Sequence, residues 1–460
     1  MEASVLGTEE KRILRRHFWD LAYPSIIAFT LQGFYDIIDM MWVGKISKEA
    51  IAGVTLFSVI YALFGVLNEV AGASSVSMIS QSYGRGTPER TQTISEQTIS
   101  FKVVLATLTA TLIYLSLDPI LNWFSSDPLV IQAAKDYGII RTFALPIAFS
   151  SYSVNTIFRC TGDSKTPMKV MLIATVINMV LDPILMFDRL PLGPYELKGF
   201  GLGVYGAGLA TVISICISFG LGFFILVTGR RDVTISMRGL LRLDKEIDLQ
   251  LLSIGLPAGG QLLIRQAFNT LLMGFITSYG TLAVTIFGLG AKLVQFSFAS
   301  MAGFSFAGST MVGHALGREH VEEASYLARV ATTIIVSIIG TIAGLAMIFP
   351  GTFLGFFNKD PDVLNAGSPM LRWLATSMII AAFGSGMRIV FSGSGFNRPV
   401  LISTIISRWL VQLPLMYVLV KILQVPLNTL WISFIIAELA DLAVVIYYFR
   451  RGDWKLKRVG

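Results

Sequence analysis

Apolar residues gather in twelve long stretches separated by short polar connections, at about 18–44, 50–82, 100–124, 130–157, 167–187, 204–228, 250–277, 281–315, 328–357, 368–392, 399–424 and 429–449. A helix needs about 20 apolar residues to cross the hydrocarbon layer, and each stretch supplies them. Lipid offers no water to unpaired amides, so a span must be a helix or part of a closed barrel. These runs are too continuous for the alternation, over about ten residues, of barrel strands. The pattern predicts an all-α polytopic membrane protein with twelve transmembrane helices.

Composition sharpens that reading. Of 460 residues, 54% are hydrophobic and 14% charged, where a soluble domain carries about 25% charged residues. The excess faces lipid, and twelve spans leave no length for a sizeable extramembrane domain. The net charge is +7, but the basic residues are dispersed, which argues against nucleic acid as a partner. Cys160 and Cys216 lie far apart in apolar runs, excluding a disulfide framework and a thiolate metal cluster. His17, His314 and His320 cannot build a metal site unaided. The N-terminus mixes Glu9, Glu10, Lys11, Arg12, Arg15 and Arg16 and enters a long helix without a cleavage site, unlike a signal peptide.

Basic residues fix the expected orientation. With both termini inside, the inner segments hold Lys11, Arg12, Arg15, Arg16, Arg85, Arg90, Arg159, Lys165, Lys169, five residues of 229–248, Arg318, Arg398 and the C-terminal group. The outer ones hold Lys45, Lys48, Lys135, Arg189, Lys198, Lys359 and Lys421. A bias of about three to one places both termini in the cytoplasm of a multi-pass plasma-membrane protein, its basic face toward anionic lipid.

An internal repeat sets the architecture. At an offset of 233 residues Pro24 pairs with Pro257, Ala50 with Ala283, Gly84-Arg85 with Gly317-Arg318, Asp127-Pro128 with Asp360-Pro361, and Gly162 with Gly395. Each half holds six helices, an even number, so the copies share orientation and relate by an axis along the membrane normal. The expectation is two six-helix bundles with that pseudo-two-fold axis. Residues 1–228 form the first lobe, 229–248 a cytoplasmic linker, and 249–460 the second lobe. Such a frame suits alternating access.

Ionisable side chains at membrane depth are functional candidates by default. Asp36 and Asp39 in the first helix lie three apart and share a face, with Tyr35 one turn from Asp39. The fifth span carries Asn178 and Asp182, four apart, and the sixth carries Thr211. Counted from the outer helix ends at about 1.5 Å per residue, Asp39, Asp182 and Thr211 share one level. Two carboxylates, an amide oxygen and a hydroxyl suit a hard cation. Two close carboxylates in low dielectric equally suit a proton carrier. Private pairing among these polar groups is the structural alternative.

These stretches resemble the multidrug and toxic compound extrusion (MATE) family of cation-coupled antiporters. The resemblance rests on Pro24 with Asp36-Ile-Ile-Asp39-Met-Met-Trp-Val-Gly44, Gln81-Ser-Tyr-Gly84-Arg85-Gly86, Cys160-Thr-Gly162-Asp-Ser-Lys-Thr-Pro167, and Asn178-Met-Val-Leu-Asp182-Pro183. It extends over the whole chain and leans to the DinF-like, archaeal-type branch. It implies a cation site of Asp39, Asn178, Asp182 and Thr211 for Na⁺ or H⁺, with Tyr35 and Asp36 beside it, and Pro24 as the bend of the first helix. It implies no cofactor beyond the coupling ion, a monomer in the bilayer, and export of amphipathic organic compounds. Export of lipid-linked or anionic metabolites is the alternative on the same frame.

Where the NorM-like branch has acids in its seventh and tenth helices, this chain has Arg265 in the seventh and no acid in the tenth. Within the repeat, Asp36 matches Asn269 and Asp39 matches Leu272, so the acids were not duplicated. The second half instead carries Arg265, Lys292, Arg388, Arg408, Glu438 and Asp441 within or near spans. Arg408 with Glu438 or Asp441 reads as a packing pair or as part of a basic wall for anionic cargo. Glu69 either lines a cleft or pairs with a base. Lys102, Arg141, Arg329 and Arg372 are expected to snorkel to the interface. Gly201-Leu-Gly203-Val-Tyr-Gly206 matches GxGxxG, but no strand precedes it, and tight helix entry with close packing explains its glycines. The absence of a convergent nucleophile, base or metal set argues against an enzyme.

Overall fold

The computed structural model describes residues 6–189, 198–229 and 233–460. Arg230 and Arg231 of the expected linker lie outside the described residues. The helices are α1 (Thr8–Val43), α2 (Lys48–Gly84), α3 (Pro88–Phe124), α4 (Pro128–Phe143), α5 (Leu145–Cys160), α6 (Lys165–Met186), α7 (Gly203–Val227), the short α8 (Met237–Leu240), α9 (Lys245–Thr277), α10 (Thr281–Gly317), α11 (Val321–Ile348), α12 (Pro350–Phe357) and α13 (Pro361–Ser394). Two further spans, Arg398–Ile422 and Leu427–Arg451, complete the chain. Among the described residues the only strand-like pairing is one antiparallel bridge between Arg189 and Lys198.

Ten of these helices are long and apolar enough to cross a membrane. The other two of the twelve expected spans are α10 and the 128–160 segment. The latter is broken at Ala144, where Pro146 opens α5 without an N–H to continue the ladder. Pro350 likewise divides the expected 328–357 span into α11 and α12. Large apolar side chains cover the outer surface: Leu115 is 69% exposed, Trp123 80% and Phe356 86%. Such exposure fits lipid, not water.

The 233-residue repeat reappears in the helix boundaries. The starts at Lys48, Pro88, Pro128 and Lys165 recur at Thr281, Val321, Pro361 and Arg398, and the end at Gly84 recurs at Gly317. Local chemistry repeats with them. Asp127 accepts from Leu129 N at 2.9 Å to cap α4, and Asp360 accepts from Asp362 N at 3.0 Å to cap α13. Each cap is followed by proline at the first helical position.

The helices form two compact units, one of residues 27–253 with Gly460, the other of residues 1–26 and 254–459. The division crosses α1 two residues beyond Pro24. In the second unit the start of α1 packs on α10, with Phe18 and Phe304 stacked at 6.2 Å and Trp19 edge-on to Phe304 at 5.6 Å.

In the first unit, glycines draw α2, α4, α6 and α7 together. A Cβ on Gly53 of α2 would lie 2.7 Å from Ala133 of α4, and one on Gly138 of α4 would meet the Phe57 ring of α2 at 2.3 Å. A Cβ on Gly206 of α7 would lie 2.6 Å from the Leu185 carbonyl of α6, and one on Gly208 would lie 2.9 Å from the Tyr137 carbonyl of α4. Backbones approach this closely only without side chains. Gly203 opens α7 at φ 57°, so the GxGxxG run is a helix entry and a packing face.

Candidate functional site

Four helices of the first unit bring polar side chains to one buried place. Asp39 sits four residues from the end of α1 and Asp182 four from the end of α6, about 6 Å from each terminus. Asp39 is 5% exposed, Asn178 and Asp182 0%, and Thr211 1%. Asp39 and Asp182 are electrostatic neighbours, and Tyr35 of α1 neighbours Asp39 and Thr211.

Most donors of the cluster are already engaged. The Tyr137 hydroxyl of α4 donates to Asp39 Oδ2 at 2.8 Å, and Arg141 Nη1 donates to the Tyr137 hydroxyl oxygen at 2.5 Å. Asn178 Nδ2 donates to Asp182 Oδ1 at 3.1 Å. Thr211 Oγ1 donates to the Ala207 carbonyl at 3.0 Å, leaving its lone pairs as acceptors. Asp39 Oδ1, Asp182 Oδ2, Asn178 Oδ1 and the Tyr35 hydroxyl are buried without a hydrogen-bond partner. Buried oxygens lacking donors are costly. Among the described residues no three His, Cys, Asp or Glu side chains gather to hold a metal ion. The cluster offers two carboxylates, an amide oxygen and a hydroxyl.

Asp36 is an electrostatic neighbour of Asp39 and Tyr137, but its side chain is exposed and accepts from Gln32 Nε2 at 3.4 Å. Pro24 is buried inside the unbroken α1. Glu69 and Arg265 are half-buried on α2 and α9, and Lys292 is exposed on α10. Arg408 pairs with Glu438, also donating to Gln412 Oε1 at 2.7 Å, while Arg388 pairs with Asp441. The second unit's bases are therefore partly neutralised.

Two expected interface residues are corrected. Arg141 does not snorkel; its guanidinium lies 4.9 Å from the ring centroids of both Tyr61 and Tyr137. Lys102 is wholly buried, about 21 Å along α3 from Pro88, farther than its stem reaches. Arg329 and Arg372 are exposed, each donating to a helix carbonyl, Ser325 O and Met347 O. Tyr137 and Arg141 are the site residues that sequence reading passed over. Their signal was an aromatic hydroxyl and a base four apart on one helical face.

The MatE family profile matches residues 24–184 and again 257–418, starting at Pro24 and at its repeat partner Pro257. The chain belongs to the MatE family. A probable multidrug resistance protein YoeA from Bacillus subtilis is 26% identical over 446 residues, covering 95% of this chain and 93% of that protein. A probable multidrug resistance protein NorM from Thermotoga maritima is 23% identical over 457 residues, covering 99% and 96%. Among solved structures, a MOP superfamily transporter from Pyrococcus furiosus superposes with a TM-score of 0.86 at 22% identity, covering 99% of this chain and all of that one. The MatE fold thus accounts for the whole chain as a multi-pass membrane protein.

Proposed function

We propose that this chain is a secondary antiporter in which Na⁺ or H⁺ entry drives export of amphipathic organic compounds by alternating access. The observation that carries this reading is the convergence of Asp39 and Asp182 with buried oxygens that lack donors. Two such carboxylates either share a proton or release it to coordinate Na⁺ with Asn178 and Thr211. Tyr137 and Arg141 orient Asp39 from the other side. Cargo of the multidrug type is carried over from the names of the relatives. The same reading sets both termini in the cytoplasm of a plasma-membrane monomer, with lobes 1–228 and 249–460 joined by the linker 229–248.

The test is the Na⁺ dependence of dye efflux at fixed pH, using inverted vesicles. Thr211→Val removes one oxygen and keeps both acids. A Na⁺-coupled protein loses Na⁺ affinity in this variant, while a proton-coupled one is unaffected. Arg265→Gln keeps coupling and alters only which cargo is accepted. Loss of coupling in Arg265→Gln with a wild-type Thr211→Val would overturn the assignment.

A further inference from the structure

Away from Asp39 and Asp182, the first unit brings a buried base and a half-buried acid together within the spans. Lys102 of α3 is 0% exposed, and its Nζ lies 4.2 Å from the Tyr152 ring centroid of α5 without a hydrogen-bond acceptor. Glu69 of α2 is the carboxylate acting on both Lys102 and Tyr152. Gly72, one turn from Glu69, is where they meet. A Cβ on Gly72 would lie 3.3 Å from Tyr152 Cε1, 3.7 Å from Lys102 Nζ and 3.8 Å from Glu69 Oε2. Amine and carboxylate thus both come within contact of one point above a glycine.

The surroundings are polar and enclosed. Thr98, one turn before Lys102, and Thr156, one turn after Tyr152, are 0% exposed with hydroxyl oxygens that have no partner. Arg159 and Cys160 of α5 are the remaining titratable groups acting on Tyr152, and the Arg159 guanidinium lies 4.8 Å from the Phe29 ring centroid of α1. An ammonium buried against a ring face, with no acceptor bonded to it, is an expensive way to keep a charge. A neutral amine suits the same place, and Glu69, half-buried, is the nearby base.

We propose that Glu69 and Lys102 form a second proton-binding site, holding one exchangeable proton apart from the cation site. The proton passes from Lys102 Nζ to a Glu69 carboxylate oxygen, leaving a neutral amine on the Tyr152 ring and a carboxylic acid. That acid then releases the proton to water as a carboxylate. The role of the site rests on the antiport reading, to which it adds a proton-linked step that does not compete for Asp39 and Asp182. Its existence does not depend on that reading.

The experiment is infrared difference spectroscopy between acidic and alkaline buffer on the full chain in liposomes, without cargo. The background is Asp39→Asn/Asp182→Asn, which silences the cation site. One buried-carboxyl stretch should persist, vanish in Glu69→Gln, and titrate over a range displaced about tenfold or more in proton concentration in Lys102→Met. Glu69→Asp, which keeps the acid, should shift the band, and it serves where Glu69→Gln fails to insert. A background protein with no such band, a band that survives Glu69→Gln unchanged, or one indifferent to Lys102→Met overturns the proposal. A Glu69 band in a protein that exports nothing would sink the antiport reading and leave the site standing.

Discussion

The Tyr137 hydroxyl donates to Asp39 Oδ2 at 2.8 Å, tying α4 to α1 across the buried cluster. Arg141 donates in turn to the Tyr137 oxygen, so a fixed cation polarises the phenol that holds the carboxylate. Asp39 thus keeps one oxygen fixed and leaves the other, Oδ1, buried without a donor.

Tyr137→Phe removes that hydrogen bond while keeping the edge-on packing on Phe57, whose centroid is 5.9 Å away. A hydrogen bond to a charged group contributes about 1.5–3 kcal/mol, and about 1.4 kcal/mol is tenfold in affinity. The half-saturating cation concentration for efflux should rise roughly tenfold, with normal insertion. An unchanged cation dependence would show that Tyr137 does not position Asp39.

Pro24 withholds one backbone hydrogen bond from α1 near the division between the two units. In Pro24→Ala the first helix gains that bond and straightens. Turnover should fall by more than cargo affinity does, measured as efflux rate against equilibrium dye binding. A variant that turns over at the wild-type rate would remove Pro24 from the cycle.

Arg388 and Asp441 pair across helices of the second unit, their side chains 26% and 7% exposed. Removing one partner of a fully buried pair costs about 3–5 kcal/mol, and the partial exposure of Arg388 lowers this to about 2–3 kcal/mol. Arg388→Met should lower the melting temperature of the purified protein, and Arg388→Met/Asp441→Leu should recover most of the loss. Cation dependence of efflux should be the same in both. A double variant no more stable than the single one would mean that the pair fixes nothing.

The membrane-spanning helices and their repeat were legible in the sequence because apolar run length and the 233-residue register are one-dimensional signals. Asp39, Asn178, Asp182 and Thr211 could be placed at one level by counting along helices, since short side chains end near their own backbone. Arg141 could not. Its backbone lies about 20 Å along α4 from Pro128, yet helical side chains lean toward the helix N-terminus. A long side chain on α4 therefore reaches back toward Asp39, whose own side chain leans the opposite way on α1. Lys102 was misplaced for another reason: the groups that enclose it, Glu69 of α2 and Tyr152 of α5, come from other helices, and no single-helix pattern records which neighbours those are. The breaks at Ala144 and Phe349 were marked by the following prolines, but the apolar runs continue through them.

The central claim is that Asp39 and Asp182 carry the coupling ion. Cation-driven dye efflux in inverted vesicles, compared between wild type, Asp39→Asn and Asp182→Asn at matched protein levels, tests it most directly. Both substitutions keep size and polarity, so both variants should insert and purify normally while efflux falls to background. Near-normal, still cation-dependent efflux in both single variants would contradict it.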